Sequence, residues 1–246
     1  MRLRLLSIII AAAAAIFAVY SGYANLRITD EKIHDALLRN PRWLQEMNVA
    51  LAQDMAREAI EQNHAALFED SRDPFIGNPK GDVVLVEFFD HRCPWCKAVE
   101  PELAKLLAAD PDVRIVFKDI AGLGDVSLFA GKAALAAQRQ QKYAEFHKAV
   151  LGDKQPADQE RILKLAADAG VDVEQMKKDM EDPAIAAQID DTRHLGATVG
   201  AQGTPAFIVG NSFYAGVMSY DALVKAVAQG RAYRTAHAGK GAEAHS

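Results

Sequence analysis

Cysteine is scarce in this sequence, since only Cys93 and Cys96 occur among its 246 residues. With no second pair, no separate structural disulfide can form, and cysteine alone cannot supply the four ligands of a structural zinc site. A disulfide between two residues so close together closes too small a loop to stabilise a fold appreciably. The pair is therefore predicted to carry out chemistry rather than to hold the chain together.

Positive charge is also in short supply. The formal net charge is −5, and no basic stripe with interleaved aromatic residues occurs along the chain. Nucleic acid is therefore not an expected partner.

The N-terminal segment has the pattern of an export signal. Arg2 and Arg4 precede an apolar stretch over residues 5–20, and small residues at the −3 and −1 positions end at Ala24. We predict that residues 1–24 are a cleaved signal peptide, with an uncleaved membrane anchor as the alternative. In both cases the rest of the chain faces an oxidising compartment, the periplasm.

The two cysteines lie between an apolar strand pattern, Val83–Phe89, and a helical pattern over residues 98–109. Their spacing places them about one helical turn apart on the same face. With Cys93 at the N-cap, Pro94 takes the first helical position, which suits its fixed φ and missing N–H. A helix start favours the thiolate form of Cys93.

These features predict a redox pair of the C-x-x-C type. Cys93 is expected to be the exposed, attacking sulfur and Cys96 the inner, resolving one. The backbone N–H groups at the helix start are expected to point at the Cys93 sulfur, and His91, Arg92 and Lys97 to make its surroundings electropositive. The same two sulfurs could instead act as soft ligands for copper.

Periodicity divides the rest of the chain into segments. An amphipathic helical arm over residues 25–72 is predicted to associate with itself through residues 30–60, the alternative being that it packs on the following domain. Strands are predicted over residues 83–89, 113–117, 206–209 and 213–214, helices over 127–199 and 220–228, and a disordered tail over 231–246.

Two separated motifs resemble the DsbA family of thioredoxin-fold proteins. They are Glu87-Phe88-Phe89-Asp90-His91-Arg92-Cys93-Pro94-Trp95-Cys96 and Gly203-Thr204-Pro205-Ala206-Phe207. The resemblance implies an α/β thioredoxin-like fold over residues 73–230 with an all-helical insertion at about 122–199. The N-terminal helical arm is similar to the segment that ScsC-like members use to associate.

The resemblance also assigns roles to particular residues. Thr204–Pro205 is expected to be a cis peptide bond packed against the redox pair, where the Thr204 backbone pairs with an extended client. Glu87, the lone acid of its strand, is expected to be buried, to have a raised pKa and to relay a proton to Cys96. Lys118 is its expected charge partner, and the alternative is that Glu87 is solvated at the sheet edge.

Function is predicted as thiol–disulfide exchange in unfolded or misfolded exported proteins, with a membrane redox partner and no cofactor or metal. Trp95 stands where DsbA oxidases often carry His, which predicts a less oxidising couple and leaves oxidase and isomerase open. The alternatives are a copper-handling or metal-stress protein and a non-catalytic client-binding module.

Overall fold

The structure is a computed structural model that describes residues 13–21 and 30–237, without the side chain of residue 31. Most of the predicted signal peptide and the last nine residues of the predicted tail lie outside the described residues. The chain divides into two compact units, Met1–Ala52 and Gln53–Ser246.

The first unit is helical where it is described. Helix α1 covers residues 13–21, α2 covers Asp30–Arg39, and α3 covers Arg42–Gln62 and extends into the second unit. Many large apolar side chains on α2 and α3 are exposed. They are Ile33, Leu38, Trp43, Leu44, Met47, Val49, Leu51 and Met55. Among the described residues, no helix has the length and apolar character needed to cross a membrane.

The second unit is built on a five-stranded sheet in the order β1-β3-β2-β4-β5. Strands β2 and β3 pair in parallel, and the other neighbouring strands pair antiparallel. The central strand β2 is buried along almost its whole length, as its apolar run predicts. The strands are β1 Phe75–Gly77, β2 Val83–Phe89, β3 Val113–Asp119, β4 Ala206–Val209 and β5 Ser212–Ala215.

Among the described residues, eight helices lie entirely within this unit. The five between β3 and β4 form the predicted all-helical segment, and three of them start at an aspartate whose side chain accepts a backbone N–H, at Asp158, Asp172 and Asp182. The helices are α4 His64–Phe68, α5 Pro94–Ala109, α6 Asp125–Arg139, α7 Tyr143–Gly152, α8 Gln159–Asp168, α9 Val173–Met180, α10 Pro183–Thr198 and α11 Tyr220–His237.

Side chains of β2 alternate between two apolar clusters, one on each face of the sheet. Leu85 and Phe89 belong to the larger cluster, which includes both cysteines and residues of α5, α6 and α7. Val86 and Phe88 belong to the smaller cluster. Glu87 lies between Leu85 and Phe89 in this alternation, and therefore on the face that carries the cysteines.

Two sequence predictions differ from the fold. The predicted strands do not include β1, which has only three residues and lies at the sheet edge, so its pattern is too short to be recognised in the sequence. The predicted disordered tail is wrong for residues 231–237, which continue α11. The guanidinium of Arg231 holds this end of α11, since it lies 2.8 Å from Asp82 and 2.6 Å from Asp110.

Candidate active site

Cys93 begins α5 where the sequence places it. It is the N-cap, with φ −69° and ψ 119°, and Pro94 is at the first helical position. Both cysteines are free thiols. Cys93 is only 4% exposed and Cys96 is fully buried, so the prediction of an exposed attacking sulfur is wrong in degree, although Cys93 is the more accessible of the two.

The Cys93 thiol faces the loop before β4. Its Sγ donates to the Thr204 carbonyl oxygen at 3.3 Å, and the Thr204–Pro205 peptide bond is cis, as the resemblance implies. The side chain makes no capping hydrogen bond with the helix, which differs from the expectation that backbone N–H groups point at the sulfur. The Cys93 sulfur is instead turned towards the Thr204 carbonyl, to which a thiol can donate, and away from the N–H groups at the start of α5.

Asp90 organises the turn between β2 and α5. One carboxylate oxygen accepts the Arg92 N–H at 2.8 Å. The other accepts the N–H groups of Gly122 and Leu123 at 2.8 and 3.1 Å and the hydroxyl of Ser127. These bonds fix the cysteine turn to the start of α6. Sequence reasoning missed this role, although an acid directly after a buried strand is a usable signal.

Glu87 is buried behind the two cysteines, with 1% of its surface exposed. Burial raises the pKa of its carboxyl well above the ordinary value, and the negative charges of Glu100, Cys93 and Asp119 raise it further. Its Oε2 atom has no hydrogen-bond partner in the described part of the chain. The alternative of a solvated Glu87 is therefore wrong.

Lys118 is not the partner of Glu87. Glu87 pairs in register with Phe117 of β3, so the next residue, Lys118, projects from the other face of the sheet. Its ammonium instead contacts the Asp73 carboxylate and donates to the Ala66 carbonyl at 2.6 Å. Burial raises the pKa of Asp73 to about 6, although the charge of Lys118 opposes that rise.

Cys96 lies one turn beyond Cys93 and faces the interior. Burial raises the pKa of the Cys96 thiol strongly, and the negative charge of Glu87 acts in the same direction. Cys96 is therefore a thiol in the reduced protein, and its thiolate would be a strong base that takes a proton as soon as one is offered.

Two buried histidines complete the site. His91 was expected among the positive groups around Cys93, but its Nδ1 lies 2.6 Å from Asp119 Oδ2 inside the core. His147 of α7, which the sequence did not reveal, is also fully buried, 5.5 Å from His91 between ring centroids. A lone histidine in a helical pattern carries no signal of such a contact.

The other two predicted positive groups lie nearer the surface. Arg92 is exposed and donates to the Leu123 carbonyl at 3.4 Å. Lys97 donates to the Asp153 carbonyl at 3.0 Å, and partial burial lowers the pKa of its ammonium. These two side chains, rather than His91, supply the positive charge at the cysteine turn.

Metal binding by this site would depend on the two sulfurs. Within residues 13–21 and 30–237, no group of three or more His, Cys, Asp or Glu side chains is placed to hold a metal ion. The copper alternative therefore has no further ligands in the described structure.

The comparisons with known proteins agree with this geometry. The model of the thioredoxin family matches residues 69–229. A thioredoxin-like oxidoreductase from Silicibacter pomeroyi is 40% identical, with a TM-score of 0.67 over 69% of this chain and 98% of its own. The chain belongs to the thioredoxin family and, within it, to the DsbA-like thiol–disulfide oxidoreductases.

Two further solved structures support this assignment. The thiol–disulfide exchange protein α-DsbA2 from Wolbachia pipientis is 31% identical, with a TM-score of 0.67 over 72% of this chain and 96% of its own. A linker-deletion variant of Proteus mirabilis ScsC is 26% identical, with a TM-score of 0.71 over 85% of this chain and 99% of its own.

Curated relatives include much longer proteins. A Na⁺/H⁺ antiporter NhaA of Salinispora tropica is 30% identical over 162 residues, which cover 63% of this chain, and the chain spans only 24% of that relative's length. Disulfide bond formation protein D of Bacillus subtilis is 24% identical over 173 residues, which cover 63% of this chain and 75% of its own.

Proposed function

We propose that this protein exchanges thiols and disulfides with exported proteins through a mixed disulfide on Cys93. The observation that carries the proposal is the position of the Cys93 sulfur. It lies at the N-cap of α5, 3.3 Å from the Thr204 carbonyl beside a cis-proline, while its partner Cys96 is fully buried behind it.

The chemistry follows from the difference between the two sulfurs. In the oxidised protein, a client thiolate attacks Cys93 Sγ, a bond forms between them, and the Cys93–Cys96 bond breaks. Cys96 leaves as a thiolate and takes a proton from the Glu87 carboxyl. A second client thiolate then attacks the client sulfur of the mixed disulfide and releases the Cys93 thiolate. The client loses two electrons and the protein gains them.

The site also offers a surface for an unfolded client. Three exposed apolar side chains lie in segments that border Cys93, namely Trp95, Leu123 and Val217. The Leu123 backbone is joined to the cysteine turn through Asp90 and Arg92, and the segment of Val217 is joined to the Pro205 carbonyl by the Gly216 N–H at 2.9 Å. Apolar contacts of this kind, with the Thr204 backbone, bind clients with little sequence preference.

A pair of cysteine variants tests the proposed function. Cys93→Ser should abolish turnover of a dithiol peptide, because it removes the attacking sulfur. Cys96→Ser should accumulate mixed disulfides with clients, because it removes the resolving sulfur. Oxidation of the peptide followed by mass spectrometry measures both effects, and the double serine variant is the control. Full turnover by either single variant would contradict the proposal.

We propose that the protein works in the periplasm with a membrane-bound redox partner. The basic and apolar pattern of residues 1–24 supports export, and an oxidising compartment suits a working dithiol. Trp95 carries no positive charge and is 63% exposed, so it stabilises a neighbouring thiolate less than a histidinium would. This favours a couple that can isomerise disulfides as well as form them.

We also propose that the helical arm joins several copies of the chain. Leu44, Met47 and Leu51 follow one another at heptad-like spacing on α3 and are 48%, 61% and 59% exposed. The double change Leu44→Glu and Met47→Glu should reduce the mass measured by light scattering to that of a single chain. Gln45→Glu adds a charge to the same helix and should leave the mass unchanged. An unchanged mass in the double variant would contradict the proposal.

A further inference from the structure

We propose that Glu100 carries protons between Glu87 and solvent, and that His147, supplied by the helical segment between β3 and β4, positions Glu100 for this transfer. The inference rests on the proposed function, because proton movement at Glu87 matters only if Cys96 is released and reformed during exchange.

Glu100 links the buried acid to the surface. It lies four residues after Cys96 on α5 and therefore on the same helix face. Its side chain is 22% exposed, whereas Glu87 and His147 are 1% and 0% exposed. The charge of Glu100 is near enough to raise the pKa of Glu87. A proton leaving Glu87 thus has an acceptor that also reaches water.

His147 lies on the same patch of the sheet as Glu87. Its ring centroid is 5.2 Å from that of Phe89, which follows Glu87 by two residues on the same face. It is 4.3 Å from the ring of Phe117, the register partner of Glu87 on β3. Both His147 Nε2 and Glu87 Oε2 are buried without a hydrogen-bond partner in the structure as described. Unpartnered buried polar atoms of this kind favour a functional explanation.

The contacts of His147 direct it towards Glu100. Its Nε2 lies 3.4 Å from Glu100 Oε2, a close contact that is not aligned as a hydrogen bond. On its other side, Nδ1 lies 3.2 Å from the Tyr143 hydroxyl. Burial lowers the pKa of His147, so the ring is neutral near pH 7. If Tyr143 donates to Nδ1, the hydrogen is on Nε2 and faces the Glu100 carboxylate.

The other titratable groups around this cluster are held by their own partners. Asp119 is bound by His91 at 2.6 Å and by the Ala121 N–H at 2.9 Å. Tyr143 is buried and its pKa is raised, so it stays a neutral donor. At the start of α5, Cys93 and Cys96 are the thiols that exchange, and Lys97 donates to the Asp153 carbonyl at 3.0 Å. Glu100 is thus the acid of this cluster that is both partly exposed and in contact with His147.

The proton route is balanced in each direction. When Cys96 leaves as a thiolate, the Glu87 carboxyl gives it a proton and becomes a carboxylate. Glu100, protonated from solvent, then returns a proton to Glu87. When the disulfide reforms, Glu87 first gives its proton to the Glu100 carboxylate, which releases it to water, and the Glu87 carboxylate then accepts the proton of Cys96. No further reactant is required.

The test measures how fast a dithiol peptide reduces the Cys93–Cys96 disulfide between pH 5 and pH 9. Glu100→Gln should slow the reaction about tenfold, because a positioned acid or base is lost. Its pH profile should move to lower pH, because a charge that raises the pKa of Glu87 is gone. Glu102→Gln makes the same change of charge on α5 outside the cluster and should match the wild-type protein.

His147 is tested by a pair of replacements. His147→Phe should slow the reaction as Glu100→Gln does but leave the pH profile in place, because the charge of Glu100 remains, whereas His147→Gln keeps an N–H donor and should recover most of the rate. In a Glu87→Gln background, Glu100→Gln should have no further effect, because both changes break one route. Circular dichroism checks that each variant is folded.

Two outcomes separate this inference from the proposed function. If the wild-type protein exchanges normally and Glu100→Gln has the same rate and pH profile, the proton route is overturned but the proposed function is not. Additive losses in the Glu87→Gln background would do the same. Failure of the wild-type disulfide to exchange with any dithiol peptide would overturn the proposed function and this inference with it.

Discussion

Two buried carboxylic acids of this protein have contrasting surroundings. Asp73 lies just before β1 and is 4% exposed, and its carboxylate contacts the buried ammonium of Lys118. Glu87 lies in the central strand and is 1% exposed, and one of its oxygens has no partner in the described chain. The charged groups that raise the pKa of Glu87 are negative, and no positive group among the described residues opposes them.

This difference suits Asp73 to a structural role and Glu87 to a role in proton transfer. Burial raises the pKa of both, but Lys118 limits the rise for Asp73, whereas Glu100, Cys93 and Asp119 increase it for Glu87. A paired acid fixes the segment it belongs to. An unpaired acid beside a thiol that must gain and lose a proton is suited to supply that proton.

The largest predicted effect comes from removing the cation of the paired acid. Lys118→Met leaves Asp73 buried without its partner and should lower the free energy of unfolding by about 3 kcal/mol at pH 8. Without Lys118 the pKa of Asp73 rises above its present value of about 6. A raised pKa means stability that is lost as pH rises, so the loss should be smaller at pH 5. Urea titrations at both pH values measure it.

The double change Asp73→Asn and Lys118→Met is the control for that experiment. It removes both charges and should recover much of the lost stability, with little difference between pH 5 and pH 8. Equal destabilisation by Lys118→Met at the two pH values would show that Asp73 is not the group left unpaired.

A change at Glu87, the unpaired acid, should mainly affect the rate of thiol–disulfide exchange rather than stability. Glu87→Gln should slow thiol–disulfide exchange by tenfold to a hundredfold, because the proton donor for Cys96 is lost. It should also remove a pH dependence. In the wild-type protein, the raised pKa of Glu87 makes its contribution to stability complete below its ordinary value near 4.5 and lost as pH rises through the folded-state value. Exchange rates and urea titrations from pH 4 to pH 9 measure both effects.

Asp73→Asn is the matched control, since it also converts a buried acid to an amide. It should change stability while leaving exchange per folded molecule near the wild-type rate. If Glu87→Gln left exchange unchanged and kept the wild-type pH dependence of stability, Glu87 would be no different from Asp73, and the contrast between the two acids would fail.

Sequence reasoning predicted the parts of this site that depend on local pattern. The apolar run of β2 and the N-cap at Cys93 each have a signal within a few residues, whereas the cis bond before Pro205 was implied by the resemblance to the DsbA family. Burial of Glu87 followed in the same way, because a single acid in a central strand must share the burial of its neighbours.

The partners of these residues could not be predicted in this way. The sequence places Lys118 near Glu87, but the alternation of side chains along a strand sends it to the other face of the sheet, where it meets Asp73. His147 comes from a helix about fifty residues after the cysteines, and its contact with Glu100 exists only once that helix packs on α5. Contacts of this range depend on tertiary packing, which local pattern does not specify.

The smallest predicted effect concerns Cys93, whose sulfur does not exchange a proton with Glu87. Trp95→His places an ionisable ring beside the start of α5, where it favours the thiolate form of Cys93 and stabilises the reduced protein. The couple should become more oxidising by about 30 mV, a tenfold change in the equilibrium constant. Equilibration with glutathione buffers measures this shift.

Trp95→Phe, which adds no charge, should leave the potential near the wild-type value. Because Trp95 is exposed and Glu87 is buried, Trp95→His should leave unchanged the part of the pH dependence of stability that Glu87→Gln removes. A shift in that dependence would mean that ionisation of Cys93 and protonation of Cys96 are controlled by the same groups. A shift in potential alone would mean that ionisation of Cys93 and protonation of Cys96 are controlled by separate groups, one at the surface and one in the core.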